Sequence, residues 1–363
     1  MEKNTKRLND IILIRVFAIF IVVLGHSMIV YSSTWNTFEL RVGSNFFNNL
    51  KIYIDVFQMP LFIFVSGYLY HFSRIELDRY KRKSRFIMNK FIRLLIPYFS
   101  VAILYVIPIR LLIEYKEYQG KNFLELIFNN VFLGNDIGHL WFLPTLFTIF
   151  ILFYFFEHFI SMIPFFLGTL FFIGVSVVSG FFPAIFFIQQ TLNYLLYFYI
   201  GYKIRELVQN GKYRDNNLVF ICLTIIQFVG IVFSVLTRNQ DFILLNGISI
   251  VLDKVGSLSS VLFFYFLLSK FSSNYPKITE SKGIKYFDKE SFQIYLFHSP
   301  LVYLTLYVIQ EYTINPFLVV ILNFLVCIVG SLLISKIVES LNVFNILIGK
   351  RKKYSGKIDT QSI

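Results

Sequence analysis

The sequence predicts an all-α fold: a polytopic integral membrane protein with about ten transmembrane helices and both termini in the cytoplasm. Three observations predict this class. The 363 residues are 56% hydrophobic and 15% charged, with a mean hydropathy of +0.65, whereas soluble domains carry about 25% charged residues. Apolar runs of membrane-spanning length recur along the chain. Lysines and arginines concentrate in alternate connections between these runs.

Ten apolar runs are long enough to cross a bilayer, because about 20 helical residues span its hydrocarbon core. The first run imitates a secretory signal, but it is too long for one, contains Arg15 and has no convincing cleavage site. We therefore interpret it as a retained helix. In chain order, the runs lie near residues 11–31, 52–71, 92–114, 140–158, 162–183, 188–207, 217–237, 243–268, 290–309 and 314–337.

The distribution of basic residues predicts the orientation of these helices. Ten spans place both termini on the same side of the membrane. If the amino terminus is cytoplasmic, the inside segments hold 25 lysines and arginines and the outside connections hold 5. This bias predicts a multi-pass plasma-membrane protein with N-in, C-in topology. It also accounts for the net charge of +13 without a nucleic-acid partner, because the basic residues are spread between apolar runs.

Residues 1–349 are expected to form a single transmembrane domain, and residues 350–363 a basic cytoplasmic tail. The sequence has no dinucleotide-binding glycine fingerprint, no P-loop and no metal-ligand spacing. Cys222 and Cys327 lie inside apolar runs, as expected for small packing residues. Any chemistry is therefore expected between the helices or at their ends, without a metal.

The first helix carries two ionisable residues, Arg15 and His26. They are eleven positions apart, which is almost three helical turns, so both side chains share one face. Ionisable groups at membrane depth often mark functional sites. The predicted topology places Arg15 near the cytoplasmic side and His26 about 16 Å further out. The alternative is that Arg15 extends to the lipid headgroups and His26 only bonds a neighbouring helix.

The second helix carries Asp55, Gln58 and Pro60. Because this helix runs in the opposite direction, Asp55 and Gln58 are expected at the depth of His26, where either could fix the imidazole tautomer. The alternative for Asp55 is a favourable interaction with the helix dipole. Pro60 is expected to kink the helix and free backbone carbonyls to line a cavity.

The connection that follows is basic, and three of its polar residues are four positions apart. Arg85, Asn89 and Arg93 are therefore expected on one helical face. Arginine clusters suit phosphate groups, so this face could bind a phosphorylated ligand at the cytoplasmic side. The alternative is an anchor on anionic membrane lipid that sets the topology.

The remaining polar candidates lie in later spans. His139 and Trp141 precede the fourth span at its outer end, where interfacial aromatic residues are common. His298 lies in the ninth span, one to two turns from its cytoplasmic end, and could be a ligand or a packing residue. Asp253 and Lys254 lie within the eighth span and point about 100° apart, which favours structural pairing with other helices.

These segments together resemble the acyltransferase-3 family of membrane O-acyltransferases, especially its fucose 4-O-acetylase-like branch. The resemblance covers nearly the whole chain, in order. At one point the branch usually reads Phe-His-Met-Pro, whereas this chain has Gln58 in place of the histidine, so Gln58 is limited to hydrogen bonding. The segments that carry the resemblance are Arg15-x10-His26, Met59 to Leu69, Arg93 to Tyr98, His139 to Pro144 and Tyr295 to Pro300.

The resemblance implies transfer of an acetyl group from acetyl-CoA, a co-substrate, to a sugar hydroxyl of a cell-surface glycan or a lipid-linked oligosaccharide. His26 would act as general base or, in a variant, carry the acetyl group itself. Arg15 would hold the donor or stabilise developing negative charge, and Arg85 and Arg93 would bind the donor phosphates. The residues expected to bind or orient the acceptor are Asp55, Gln58, His139, Trp141 and His298.

Two other functional classes remain compatible with the sequence. In a transporter or flippase of the same glycan pathway, Arg15, Asp55, His26 and His298 would line a substrate path. Internal inverted repeats would favour that class, and none stands out in the sequence. A polysaccharide polymerase would be expected to carry a large extracytoplasmic loop rich in arginine, whereas the outside connections hold five basic residues in all.

Overall fold

The computed structural model describes residues 2–33, 35, 37–38, 40–211, 217–237 and 243–350, and the regular structure within these residues is helical. The basic tail predicted after Lys350 lies outside them. The α-helices are α1 (Glu2–Ser27), α2 (Asn45–His71), α3 (Lys83–Lys90), α4 (Ile96–Val101), α5 (Ile107–Leu112), α6 (Phe123–Leu126), α7 (Phe142–Met162), α8 (Phe165–Val178), α9 (Ile188–Gln209), α10 (Asn217–Thr237), α11 (Ile243–Asn274), α12 (Pro276–Thr279), α13 (Lys282–Ile309) and α14 (Pro316–Ser340).

The helices confirm the predicted class of polytopic all-α membrane protein. Each of the ten apolar runs coincides with helical structure, and the third run contains α4, α5 and the two π-helical turns that precede them. Within the described residues, seven helical segments are long and apolar enough to cross a membrane. These segments lie in α1, α2, α3 to α5, α7, α11, α13 and α14.

Side-chain caps set the beginnings of three long helices. Ser44 accepts a hydrogen bond from the backbone N–H of Phe47 at the start of α2, and Ser281 does the same for Ile284 at the start of α13. Asn315 caps α14, where Pro316 fills the first helical position, which needs no N–H donor. Because of its cap, α13 begins at Lys282, eight residues before the apolar run predicted there.

The third spanning segment is interrupted by two π-helical turns, Phe91–Leu95 and Ala102–Val106. Each turn is followed by a proline, Pro97 or Pro108, and each contains the residue four positions before that proline. In a regular α-helix the proline ring would clash with the carbonyl of that residue, and one extra residue in the turn relieves the clash. The turns therefore let a proline-containing helix continue through the bundle.

Two glycines bring α2 and α9 into backbone contact. A Cβ atom on Gly67 would overlap the carbonyl oxygen of Phe198, and one on Gly201 would overlap that of Phe64. Small residues at such crossings allow the close van der Waals packing that holds helices together in a bilayer. Helix α2 continues as an α-helix through Pro60, from Asn45 to His71. Helix α1 lies against this framework and contacts α2, α11, α13 and α14.

Candidate active site

The structure brings together three histidines that are far apart in the sequence. His26 lies near the end of α1, His298 lies within α13, and His139 lies in the 3₁₀ turn Gly138–Trp141 that leads into α7. The ring centroids of His26 and His298 are 4.8 Å apart, and those of His139 and His298 are 5.0 Å apart. His298 is therefore the central member of a histidine cluster, which we define as these three residues.

Backbone carbonyls fix the tautomer of His298. Its Nδ1 lies 2.8 Å from the carbonyl oxygen of Tyr295 and 3.1 Å from that of Ile294. A carbonyl oxygen only accepts hydrogen bonds, so Nδ1 of His298 carries the hydrogen and Nε2 carries the lone pair. That Nε2 atom lies 3.4 Å from Nδ1 of His26. His298 thus presents an acceptor to the ring of His26.

The same reasoning fixes the tautomer of His26. Its Nδ1 lies 2.9 Å from the carbonyl oxygen of Val22, so Nδ1 carries a hydrogen that is directed at both Val22 and His298. The lone pair of the neutral ring is consequently on Nε2. His298 and His139 are 0% and 6% exposed, whereas His26 is half-buried. His26 is the accessible member of the cluster, and its tautomer is the one that a general base needs.

The prediction that Asp55 or Gln58 fixes the imidazole of His26 is wrong, because the carbonyl of Val22 does so. Lys51 and Gln58 instead both donate hydrogen bonds to the carboxylate of Asp55. Gln58 nevertheless lies beside the site. A Cβ atom on Gly25 would be 2.7 Å from its Oε1 atom, which is buried and has no hydrogen-bond partner among the described residues.

The predicted depth of His298 is also wrong. The residue lies 16 positions after Lys282, the first residue of α13, which corresponds to about 24 Å along the helix axis. The first two turns of α13 are rich in charged residues, so the sequence predicts them as part of the connection. With those turns included in the helix, His298 reaches the level of His26.

His139 is held against α13 on two sides. Nε2 of His139 donates a hydrogen bond to the carbonyl oxygen of Leu296 at 3.1 Å. The hydroxyl of Tyr295 donates a hydrogen bond to the backbone carbonyl oxygen of His139. The ring of His139 is buried and packs against that of His298. Trp141, two residues further on, is half-buried and lines a cavity.

Arg15 forms an ion pair with Asp288 of α13, with Nη2 and Oδ2 2.6 Å apart. Asp288 lies in a charged segment, where the sequence does not distinguish it as a partner of Arg15. Arg15 and His26 both contact α13, which confirms that they share one face of α1. The contact positions on the two helices, Arg15 to His26 and Asp288 to His298, advance in the same direction. Helices α1 and α13 therefore run parallel, as expected for the first and ninth of ten spans.

A cavity of about 380 Å³ opens beside the turn that carries His139. The rings of Trp141 and Tyr194 are 5.1 Å apart at one part of its lining, and Lys254 of α11 lies at another. The lining comes from the end of α8, the beginning of α9 and the residue before α7. These elements place the cavity at one end of the bundle.

Residues 8–336 match the family model of acyltransferase-3, which is described as an acyltransferase domain. The chain belongs to this family. The match covers all three residues of the histidine cluster, together with Arg15 and Asp288. No curated protein and no solved structure matches the chain significantly. The protein is therefore a membrane acyltransferase.

One buried arginine of this acyltransferase, Arg110, is not among the site residues that the sequence predicts. Arg110 is 2% exposed, and its Nη1 lies 3.2 Å from Oδ1 and 3.2 Å from the carbonyl oxygen of Asp136. Its guanidinium also lies 2.7 Å from where a Cβ atom on Gly138 would be, at a φ of +59° that favours glycine. Arg110 thus holds the loop that leads to His139. The signal in the sequence was an arginine deep within the third apolar run, 17 residues after Arg93.

Three tyrosines surround this guanidinium, with ring centroids 4.5 to 5.5 Å from its central carbon. Tyr118 accepts a hydrogen bond from Arg110 at 3.1 Å and donates one to the carbonyl oxygen of Asp136 at 3.4 Å. Burial raises the pKa of Tyr118, and the charge of Arg110 opposes part of that rise. The stacked rings reduce the cost of burying the charge. They belong to Tyr115, Tyr118 and Tyr303.

Arg85 and Asn89 are four residues apart within α3, as predicted, whereas Arg93 lies beyond α3 in a π-helical turn. Arg85 is exposed, Asn89 is buried and Arg93 is half-buried. The π-helical turn that contains Arg93 begins directly after α3 and changes the angular spacing that a regular α-helix would give. Arg85 and Arg93 remain donor-site candidates, but as residues with different exposure.

Proposed function

We propose that this membrane acyltransferase transfers an acetyl group from acetyl-CoA to a sugar hydroxyl of a cell-surface or capsular glycan, with His26 as general base. One observation carries the proposal. His26 is the accessible member of the histidine cluster, and the carbonyl of Val22 leaves the lone pair of its ring on Nε2. The acceptor would be the polymerised glycan or its lipid-linked precursor.

In the proposed reaction, the acceptor hydroxyl donates a hydrogen bond to Nε2 of His26. Its oxygen attacks the thioester carbonyl of acetyl-CoA while the proton moves to Nε2. The carbon–sulfur bond then breaks, and the coenzyme A thiolate takes the proton back from His26. General-base catalysis of this kind contributes about 10²–10⁴-fold to a rate. A direct attack by Nε2 on the thioester, giving an acetyl-histidine, would use the same lone pair.

The neighbours of His26 stabilise its charged form. When His26 takes up the proton, its Nδ1–H becomes a stronger donor, and Nε2 of His298 lies 3.4 Å away to accept it. His298 keeps this orientation because its own Nδ1–H is bound to backbone carbonyls. His139 in turn packs against His298. In the proposed mechanism, His26 is the base, His298 accepts the hydrogen bond from its Nδ1–H, and His139 packs against His298.

Arg15 is assigned to the donor and not to the reacting carbonyl. It lies eleven residues before His26, about 16 Å along α1, which is too far for contact with an acyl group at Nε2. Its ion pair with Asp288 holds the guanidinium between the two parallel helices. In the proposed topology the phosphates of acetyl-CoA bind at the cytoplasmic side, near Arg85 and Arg93, and its pantetheine arm passes Arg15.

NMR of the surface glycan tests the proposal in a deletion strain complemented with variants. We expect His26→Ala and His26→Gln to remove the O-acetyl signals while the glycan and the membrane-inserted protein remain. His158→Ala is the matched control, because His158 is an exposed histidine in α7 away from the cluster. Normal O-acetylation with His26→Ala would refute the mechanism. Loss of the whole glycan on deletion would indicate a flippase or polymerase.

A further inference from the structure

The cavity beside Trp141 has features of a sugar site. An aromatic pair, Trp141 and Tyr194, lines one part of it, and the amide side chains of Gln190 and Asn193 line another. The Oε1 atom of Gln190 is buried and has no hydrogen-bond partner among the described residues. The cavity has a volume of about 380 Å³, which is within the range of small-molecule sites. The lining can therefore stack against a ring and bind its hydroxyls.

Lys254 gives this cavity a positive charge. Among the described residues that line the cavity, it is the only charged one. Its Nζ donates one hydrogen bond to Oδ1 of Asn193, which also accepts from the hydroxyl of Ser176 at 2.8 Å. An ammonium group has three N–H donors, so Lys254 has donors left for a ligand. A half-buried cation at the wall of a cavity favours an anionic ligand.

Two chains of contacts connect the cavity to the histidine cluster. Trp141 follows His139 by two residues in the same turn. On the other side, Ser257 lies one helical turn after Lys254 and donates to the carbonyl oxygen of Val56 at 2.6 Å. Val56 follows Asp55 in α2, the helix that contacts α1 beside His26. Both chains of contacts lead from the cavity lining to elements that carry or contact the histidine cluster.

We propose that this cavity is the acceptor subsite and that it selects an acidic sugar, with Lys254 binding the carboxylate of a uronate residue. Trp141 would stack on the apolar face of the ring, and Gln190 and Asn193 would bind its hydroxyls. The inference rests on the proposed function and deepens it. It assigns Lys254 a role in ligand selection, in addition to the structural pairing with another helix that the sequence predicts.

Fluorescence of Trp141 tests the subsite directly. The chain has two tryptophans, Trp35 and Trp141, so Trp35→Phe leaves Trp141 as the single reporter in the cavity. The purified protein in detergent is titrated with D-glucuronate and with D-glucose at constant ionic strength and without acetyl-CoA. We expect saturable quenching with about tenfold tighter binding of glucuronate, because charge-assisted hydrogen bonds are roughly twice as strong as neutral ones.

Variants of Lys254 separate its charge from its packing. Lys254→Gln should remove the preference for glucuronate, Lys254→Arg should keep it, and the control Lys121→Gln, on an exposed connection, should change nothing. Equal binding of the two sugars, an unchanged preference in Lys254→Gln, or no saturable quenching would overturn the proposal. The readout contains no acetyl transfer, so it can fail while His26→Ala still abolishes O-acetylation. Glucuronate binding with no acetyl transfer would instead contradict the proposed function.

Discussion

The geometry of the histidine cluster predicts the effect of replacing His298 with leucine. His298 is fully buried, and its role toward His26 is a single acceptor atom 3.4 Å away. A hydrogen bond to a charged group contributes about 1.5–3 kcal/mol and a neutral one about 0.5–1.5 kcal/mol, so protonation of His26 strengthens this bond by about 1–1.5 kcal/mol. At about 1.4 kcal/mol per factor of ten, His298→Leu should lower kcat by roughly 5- to 12-fold.

The assay follows labelled acetyl transfer from acetyl-CoA to glycan extracted from the deletion strain, with membranes matched for protein content. The KM for acetyl-CoA should stay constant, because His298 has no part in the proposed donor site. His298→Gln is the matched variant, since its side-chain oxygen can replace Nε2 as acceptor, and it should retain more activity than His298→Leu. A purely structural role would reduce both variants alike.

Two results would refute this reasoning. The first is an unchanged kcat in His298→Leu, which would show that His26 needs no acceptor at Nδ1. The second is a loss that lies wholly in KM, which would place His298 in ground-state binding.

Three further predictions concern other parts of the chain. The double variant Arg85→Ala with Arg93→Ala should weaken acetyl-CoA binding in a binding isotherm, and an unchanged isotherm would reduce the segment to a topology anchor. Gly67→Ala should destabilise the protein by about 1–3 kcal/mol in thermal unfolding, whereas Gly174→Ala, with open space around it, should not; equal melting temperatures would contradict the close helix crossing. Asp288→Asn should lower the same melting temperature by leaving the guanidinium of α1 without its counter-charge, and an unchanged temperature would mean that the ion pair contributes nothing.

Much of the fold can be predicted from the sequence, because a helix that crosses the hydrocarbon core of a bilayer needs an apolar run of about 20 residues. Each predicted run coincides with helical structure. Arg15 and His26 could be selected as a pair for the same reason, since few ionisable residues occur within such runs. The count of ten crossings and their orientation rest on the basic residues and stay predictions.

Helix ends and helix contacts were harder to predict. The cap at Ser281 extends α13 into a charged segment, which hid both Asp288 and the true depth of His298. Residues in charged segments are normally solvated, so a single sequence does not distinguish Asp288 from its neighbours. The buried site of Arg110 could not be predicted, because the groups that stabilise its charge are Asp136 and tyrosines in other segments. Such partners are defined only by tertiary packing.

The parallel contact between α1 and α13 has a consequence for synthesis of the protein. His26 and His298 are 272 residues apart in the chain, so His26 is translated long before His298, which accepts its hydrogen bond. At about 5–20 residues per second, the interval is roughly 15–55 s. During this time Arg15 lies in an inserted helix without Asp288, at a cost of about 2.5–3.5 kcal/mol if it reaches the bilayer centre. A chain that stops before α13 would lack Asp288 and leave the guanidinium of Arg15 without this counter-charge.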